Sequence, residues 1–217
     1  MKILINSDSL ATIKTCLRSG IVEGVDLDLP VDDDLDTLVD TIIDCGASDV
    51  HLQVRGSYEK MKEQAYHLLN RNGLTTTIKI PMGPDGLQLA QELTASAYRV
   101  NITDIYNPSQ AVMVGMANVS NATVAVGAID DFGYAGLEVL RGVAGMLRTQ
   151  GVNTSVVGTD LRTTHRATRA IYNGASTIVL TPPVFWEMYH HPLSKNESAL
   201  KYDWIKEEID ELQELFA

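Results

Sequence analysis

Short runs rich in aliphatic and β-branched residues alternate with longer stretches whose apolar positions recur every three to four residues. The runs lie at 2–6, 24–29, 49–54, 76–81, 99–106, 122–129, 154–160 and 176–181. The amphipathic stretches lie at 8–20, 32–46, 57–72, 85–96, 108–118, 133–150, 162–174 and 183–191. This alternation predicts βαβ units and a parallel sheet. Eight repeats in one chain predict an α/β protein built as a closed (β/α)8 TIM barrel. The competing arrangement, an open doubly wound sheet, usually has fewer strands and a glycine-rich first turn. The first turn here reads Asn6-Ser7-Asp8-Ser9 and holds no glycine. Asp8 or Ser9 is placed to cap the first helix, and Asn107 before Pro108 to open the fifth. Gly73, Gly151 and Gly174 each follow a helical stretch, where a left-handed residue ends a helix cheaply. Beyond the eight units, Leu200, Trp204, Ile205, Ile209, Leu212 and Phe216 recur at helical spacing and predict an extra C-terminal helix. The chain thus divides into a barrel over 1–195 and a helix over 196–217, a lid on the barrel's side or an arm joining subunits.

Within a strand, alternate side chains face opposite ways. Val25 and Leu27 oppose Asp26 and Asp28, and Val50 and Leu52 oppose His51 and Gln53. Ile78 and Ile80 oppose Thr77 and Lys79, and Val100 and Ile102 oppose Asn101 and Thr103. The apolar set should pack on the outer helices, leaving the polar set inside. Four consecutive strands then bring Asp28, Gln53, Lys79 and Thr103 together near their C-terminal ends, where such barrels carry their sites. Lys79 stands out, because an ammonium on an apolar-flanked strand is costly unless compensated. Two readings stay open: a structural ion pair with Asp26 or Asp28, or a nucleophilic amine that attacks a carbonyl.

Composition narrows the class. Of 217 residues, 45% are hydrophobic, and the formal net charge is −11. Such an acidic chain repels phosphate backbones, so nucleic-acid binding is not expected. No apolar run approaches the roughly 18 residues that span a bilayer, and Met1–Ser7 turns polar too early for a secretory signal. Cys16 and Cys45 cannot build a disulfide framework or a four-cysteine zinc site, and both read as small core residues of a cytoplasmic protein. His190-His191 and His165 with Arg166 and Arg169 read as solvated faces, and Asp130-Asp131 as a helix cap after a strand. Tyr106 and Tyr134 read as core.

The chain resembles the transaldolase superfamily, and within it the small fructose-6-phosphate aldolases and short transaldolases. The likeness rests on Ile78-Lys79-Ile80-Pro81 followed by Asp85-Gly86-Leu87, on Leu4-Ile5-Asn6-Ser7-Asp8, on Gly24-Val25 and on Leu52-Gln53-Val54. Thr103 with Tyr106 and Gln110-Ala111, and Gly158-Thr159-Asp160-Leu161-Arg162, extend it along the chain. The resemblance implies a class I aldol reaction in carbohydrate metabolism, with Lys79 as Schiff-base residue and Asp28, Gln53 and Thr103 as catalytic partners. It implies substrate contacts at Asn6, Asp26, Asp160 and Arg162, a sugar or sugar-phosphate substrate, no cofactor and no metal. It further implies a homo-oligomer, pentamer or decamer, with the last helix reaching a neighbour. A deoxyribose-phosphate aldolase-like site would require a second interior lysine, which the strands lack.

Four positions depart from the pattern. Asn6 replaces the first-strand aspartate, and Asp28 replaces an asparagine on the second strand. Ala125–Asp130 supplies neither the usual arginine nor the aromatic acid–base group, and Asp160 replaces the phosphate-site serine. Asp28 should stabilise the Lys79 ammonium while offering a substitute acid–base carboxylate. Asp160 should repel a phosphate, while Arg162 keeps a charge that could attract one. The alternative expectation is therefore a weak or inactive barrel binding a small polar ligand, with Lys79 paired to Asp28.

Overall fold

The computed structural model describes residues 1–31 and 33–191. Its strands are β1 (Lys2–Ile5), β2 (Gly24–Leu27), β3 (Asp49–Gln53), β4 (Thr76–Pro81), β5 (Arg99–Thr103), β6 (Asn121–Ala125), β7 (Ser155–Thr159) and β8 (Thr177–Leu180). Each pairs in parallel with the next, and β8 returns to β1, closing the barrel. The helices are α1 (Leu10–Arg18), α2 (Asp33–Asp44), α3 (Tyr58–Asn72), α4 (Pro84–Ala95), α5 (Pro108–Met116), α6 (Val126–Asp131), α7 (Gly136–Gln150), α8 (Thr164–Tyr172) and α9 (Pro182–Glu187). The expected (β/α)8 barrel is therefore present. The predicted C-terminal helix at 196–217 lies outside the described residues.

Local chemistry sets the element ends. Ser9 accepts from the Thr12 amide at the start of α1. Asn107 and Gln110 form a capping box before α5, with Pro108 in its first turn. Gly151 ends α7 at φ +69°, whereas Gly73 after α3 keeps a right-handed φ of −57°, correcting the reading of a left-handed stop there. The expected strand at 122–129 ends at Ala125, and the chain turns straight into α6. Val126 and Ile129, three apart, are both buried on that helix, a spacing that a short apolar run cannot distinguish from a strand. Asp130 consequently lies in the last turn of a helix; its carboxylate accepts from the Gly136 amide at the start of α7. Cys16 is buried but Cys45, one residue past α2, is exposed, so only the first is a core residue. Tyr106 and Tyr134 are also exposed, not core.

The outward strand residues Val25, Leu27, Val50, Leu52, Ile78, Ile80, Val100 and Ile102 join one buried cluster with the helices. Each such side chain contributes about 1.5–3 kcal/mol by leaving water. The barrel interior is divided. Leu4, Val157 and Val179 form a small apolar cluster on the β1, β7 and β8 side. Asp26, His51, Thr77, Lys79, Asn101 and Thr123 are buried on the β2–β6 side. Gly24 lets β2 approach β3, since a Cβ there would lie 1.7 Å from the Asp49 carbonyl oxygen.

One ion-paired cluster joins outer helices. Glu92 on α4 accepts from Tyr58 (2.6 Å), Lys62 (3.0 Å) and Tyr66 (2.9 Å), all on α3. The Lys62 bond, followed by the two tyrosine bonds, lowers its pKa to about 2. A depressed carboxylate stabilises the fold above its unfolded pKa near 4.3, and that contribution fades as pH falls toward about 2. The melting-temperature gap between wild type and Glu92→Gln is therefore expected to narrow steadily from about pH 5 to about pH 2. A gap independent of pH over that range, measured by thermal melts, would contradict this linkage.

Candidate active site

The strand ends place the chemistry. Register aligns Asp26 with His51, Gln53 with Lys79, and Lys79 with Asn101 across the β2–β5 ladder. The Lys79 side chain is only 4% exposed, and its amine donates to Asp26 Oδ1 and to Asp28 Oδ1, both at 2.6 Å. Asp26 is equally buried, while the Asp28 side chain, just past β2, is 51% exposed. Burial alone would favour the neutral amine. The charges of Asp26 and Asp28 and their hydrogen bonds outweigh it, so the Lys79 pKa lies above its ordinary 10.5.

The other expected residues surround this group. Gln53 donates to the carbonyls of Val54 (3.0 Å) and Lys79 (3.2 Å), so its amide protons hold backbone. Its Oε1 faces the Thr103 hydroxyl at 3.5 Å. Asn6 donates to the Asp26 carbonyl at 2.9 Å, bracing β2 against β1. Asp160, at φ +53°, pairs with Arg162. All eight residues, Asn6, Asp26, Asp28, Gln53, Lys79, Thr103, Asp160 and Arg162, line one cavity of about 550 Å³ at the C-terminal ends of the strands. The amine thus has both carboxylate partners and open space beside it.

Beneath Lys79 runs a buried polar chain that the sequence reading did not single out. Thr123 donates to Asn101 Oδ1 at 2.8 Å, and Asn101 Nδ2 lies 3.2 Å from His51 Nδ1. With the amide presenting its NH2 group, the ring proton is assigned to Nε2, which faces Asp49 Oδ1 at 3.3 Å. His51 Nδ1 lies 3.8 Å from Asp26 Oδ2, a buried oxygen with no hydrogen-bond donor among the described residues. At the barrel floor Asp49 accepts from Lys2 (2.7 Å) and Thr77 (2.9 Å) and lies 3.3 Å from Arg99. Burial raises the Asp49 pKa, but the His51 Nε2–H beside it, the Lys2 hydrogen bond and the Arg99 charge overcome it and leave the carboxyl below its usual range. Strand alternation had put His51 inward, the only signal it offered. Arg55 and Asp104, each just past a strand, also line the cavity.

Arg166 pairs with Asp130, while His165 and Arg169 are exposed. His190 and His191 are exposed, and among the described residues no cluster has the makings of a metal site. No described helix is long and apolar enough to cross a membrane.

Fold and cavity define a (β/α)8 barrel with one buried amine on its fourth strand, facing a polar mouth. The sequence pattern of the Transaldolase/Fructose-6-phosphate aldolase family matches residues 29–216, and the chain belongs to that family. A probable transaldolase of Symbiobacterium thermophilum is 28% identical over 217 residues, covering 94% of this chain and 97% of its own. A second probable transaldolase, from Geobacillus thermodenitrificans, is 27% identical over 134 residues, 61% of this chain and 62% of its own. Among solved structures, a mandelate oxidase mutant with a monooxide FMN adduct superposes with a TM-score of 0.61 at 11% identity, covering 86% of this chain and 66% of that one. That last likeness is one of fold alone.

Proposed function

We propose that the protein is a class I aldolase or transaldolase-type enzyme whose Lys79 forms a Schiff base with a small ketose or ketose phosphate. The observation that carries this reading is the Lys79 amine, 4% exposed, lining a cavity of about 550 Å³ beside two carboxylates. Membership in the aldolase family supports it, as do relatives described as probable transaldolases.

The chemistry assigns each group a task. Asp28, half exposed and 2.6 Å from Nζ, takes the ammonium proton. The neutral amine adds to the ketone carbon, and loss of water leaves an iminium. The C3–C4 bond then breaks, its electron pair moving toward the iminium to give an enamine, while the C4 hydroxyl loses its proton and an aldehyde departs. Protonation at C3 and hydrolysis return the shortened ketone and the free amine. Gln53 Oε1 and the Thr103 hydroxyl are suited to orient water or substrate hydroxyls. Asn6 and Asp26 fix the β1–β2 side of the pocket.

A second reading has its own observation. Two 2.6 Å contacts hold the ammonium, which favours a resting ion pair and a weak or inactive barrel. Borohydride reduction in the presence of dihydroxyacetone separates the two. A stable adduct on Lys79 is expected, forming faster as pH rises toward the lysine range, because the raised pKa leaves little free amine at neutrality. No adduct on Lys79 at any pH would leave the ion-pair reading standing.

A further inference from the structure

The charge arrangement at the β6–β7 side of the mouth points to a substrate class. The Arg162 guanidinium is held on both edges. Nη1 and Nη2 donate to Asp131 at 2.7 and 2.6 Å, and Nε and Nη2 donate to Asp160 at 2.9 and 2.8 Å. Four of its five N–H donors are thus engaged, and neither edge of the fork is open to the bidentate grip that a phosphate needs. The arrangement is built into the backbone. Asp160 turns its carboxylate back from a left-handed conformation, φ +53°, that aspartate tolerates better than most residues. Gly127 leaves room for the pair, since a Cβ there would lie 2.3 Å from Asp160 Oδ2 and 2.8 Å from Arg162 Nε.

Among the described residues, the rest of the mouth adds no compensating positive charge on that side. The lining carries Asp26, Asp28, Asp104 and Asp160. Its remaining cations are Lys79, which both neighbouring aspartates hold, and the exposed Arg55 on the β3 side. A phosphate dianion entering beside Arg162 would break charge-assisted bonds and sit against the two displaced carboxylates. What the mouth offers a ligand instead is neutral: the hydroxyls of Thr103, Thr159 and Thr181, and Gln53 Oε1.

We infer that this site takes an uncharged polyhydroxy ketone, and that the Asp131–Arg162–Asp160 clamp is the specificity device that turns phosphate esters away. The inference rests on the Schiff-base reading and narrows it. The test uses the full chain, with inorganic phosphate as a binding probe and with dihydroxyacetone and its phosphate as trapping donors. Wild type is expected to show no saturable binding of phosphate at millimolar concentrations and to be trapped at least about tenfold faster by the uncharged ketone. Asp131→Asn combined with Asp160→Asn should bind phosphate at least about tenfold more tightly and shift the donor preference toward the ester. Adding Arg162→Gln should abolish that gain. Saturable phosphate binding by wild type, including binding that Arg55→Gln removes, would overturn the inference, as would a double variant that gains nothing. If neither ketone is trapped, the Schiff-base reading falls, and the phosphate titrations still decide whether the clamp excludes anions.

Discussion

Lys79→Met is expected to lose about 3–5 kcal/mol of folding stability, the cost of removing one partner from a buried ion pair. The substituted side chain keeps most of the apolar stem, so the loss reports charge more than volume. Asp26 would remain in the barrel with its 2.6 Å donor gone and His51 Nδ1 3.8 Å from Oδ2. Oδ1 then loses its donor, and the desolvation of the whole carboxylate is uncompensated. With a slope near 2 kcal/mol per molar urea, the midpoint should fall by about 1.5–2.5 M. Combining Lys79→Met with Asp26→Asn should recover at least about 1 kcal/mol, because the second change removes the stranded charge. The same Met variant should give no borohydride adduct. A Lys79→Met protein within about 0.5 kcal/mol of wild type would show that the ion pair carries no stability of its own.

The barrel was legible because its strands announce themselves twice. Each run is apolar on one face, and the β2–β5 runs are polar on the other, so alternation located both the outer core and the inward Asp26, His51, Lys79 and Asn101. It failed where a run was short and apolar throughout. Val126–Ile129 satisfies a strand and a helix equally, and only the packing of β7 and α7 around it decides for α6. The exposure of Cys45 shows a second limit: helical spacing places a residue on a face only while the helix lasts, and α2 ends at Asp44.

The candidate site was legible as a set of residues but not as an electrostatic state. Strand period and the Ile78-Lys79-Ile80-Pro81 resemblance together named eight residues that line one cavity. They could not say that Lys79 is shared by two aspartates, since that depends on the stagger between β2 and β4 across the intervening β3. Nor could they show Asp131 closing on Arg162 from the end of α6, because that stretch read as the continuation of a strand. The fork that sequence alone would offer to a phosphate is engaged by a residue 31 positions away.

Asp28→Asn should raise adduct formation at neutral pH while lowering turnover, a split that tests its two tasks separately. Asp28 is one of the two carboxylates that hold the Lys79 pKa above 10.5 against burial. Its removal leaves Asp26 as the sole anion at hydrogen-bond distance among the described residues, so burial regains weight and the amine titrates lower. More of the amine is then neutral at pH 7, and trapping by dihydroxyacetone should accelerate, by roughly tenfold. Stability should respond in the opposite region of pH. A raised lysine pKa contributes stability that is complete below the unfolded value near 10.5 and is lost as pH climbs through the folded value. The variant should therefore lie closest to wild type at strongly alkaline pH. Turnover should still drop, by about 10²–10⁴-fold, if the same carboxylate relays the protons of carbon–carbon cleavage. Unchanged trapping would mean that Asp26 alone sets the state of the amine. Accelerated trapping with undiminished turnover would move the acid–base role away from Asp28, toward the Gln53–Thr103 pair.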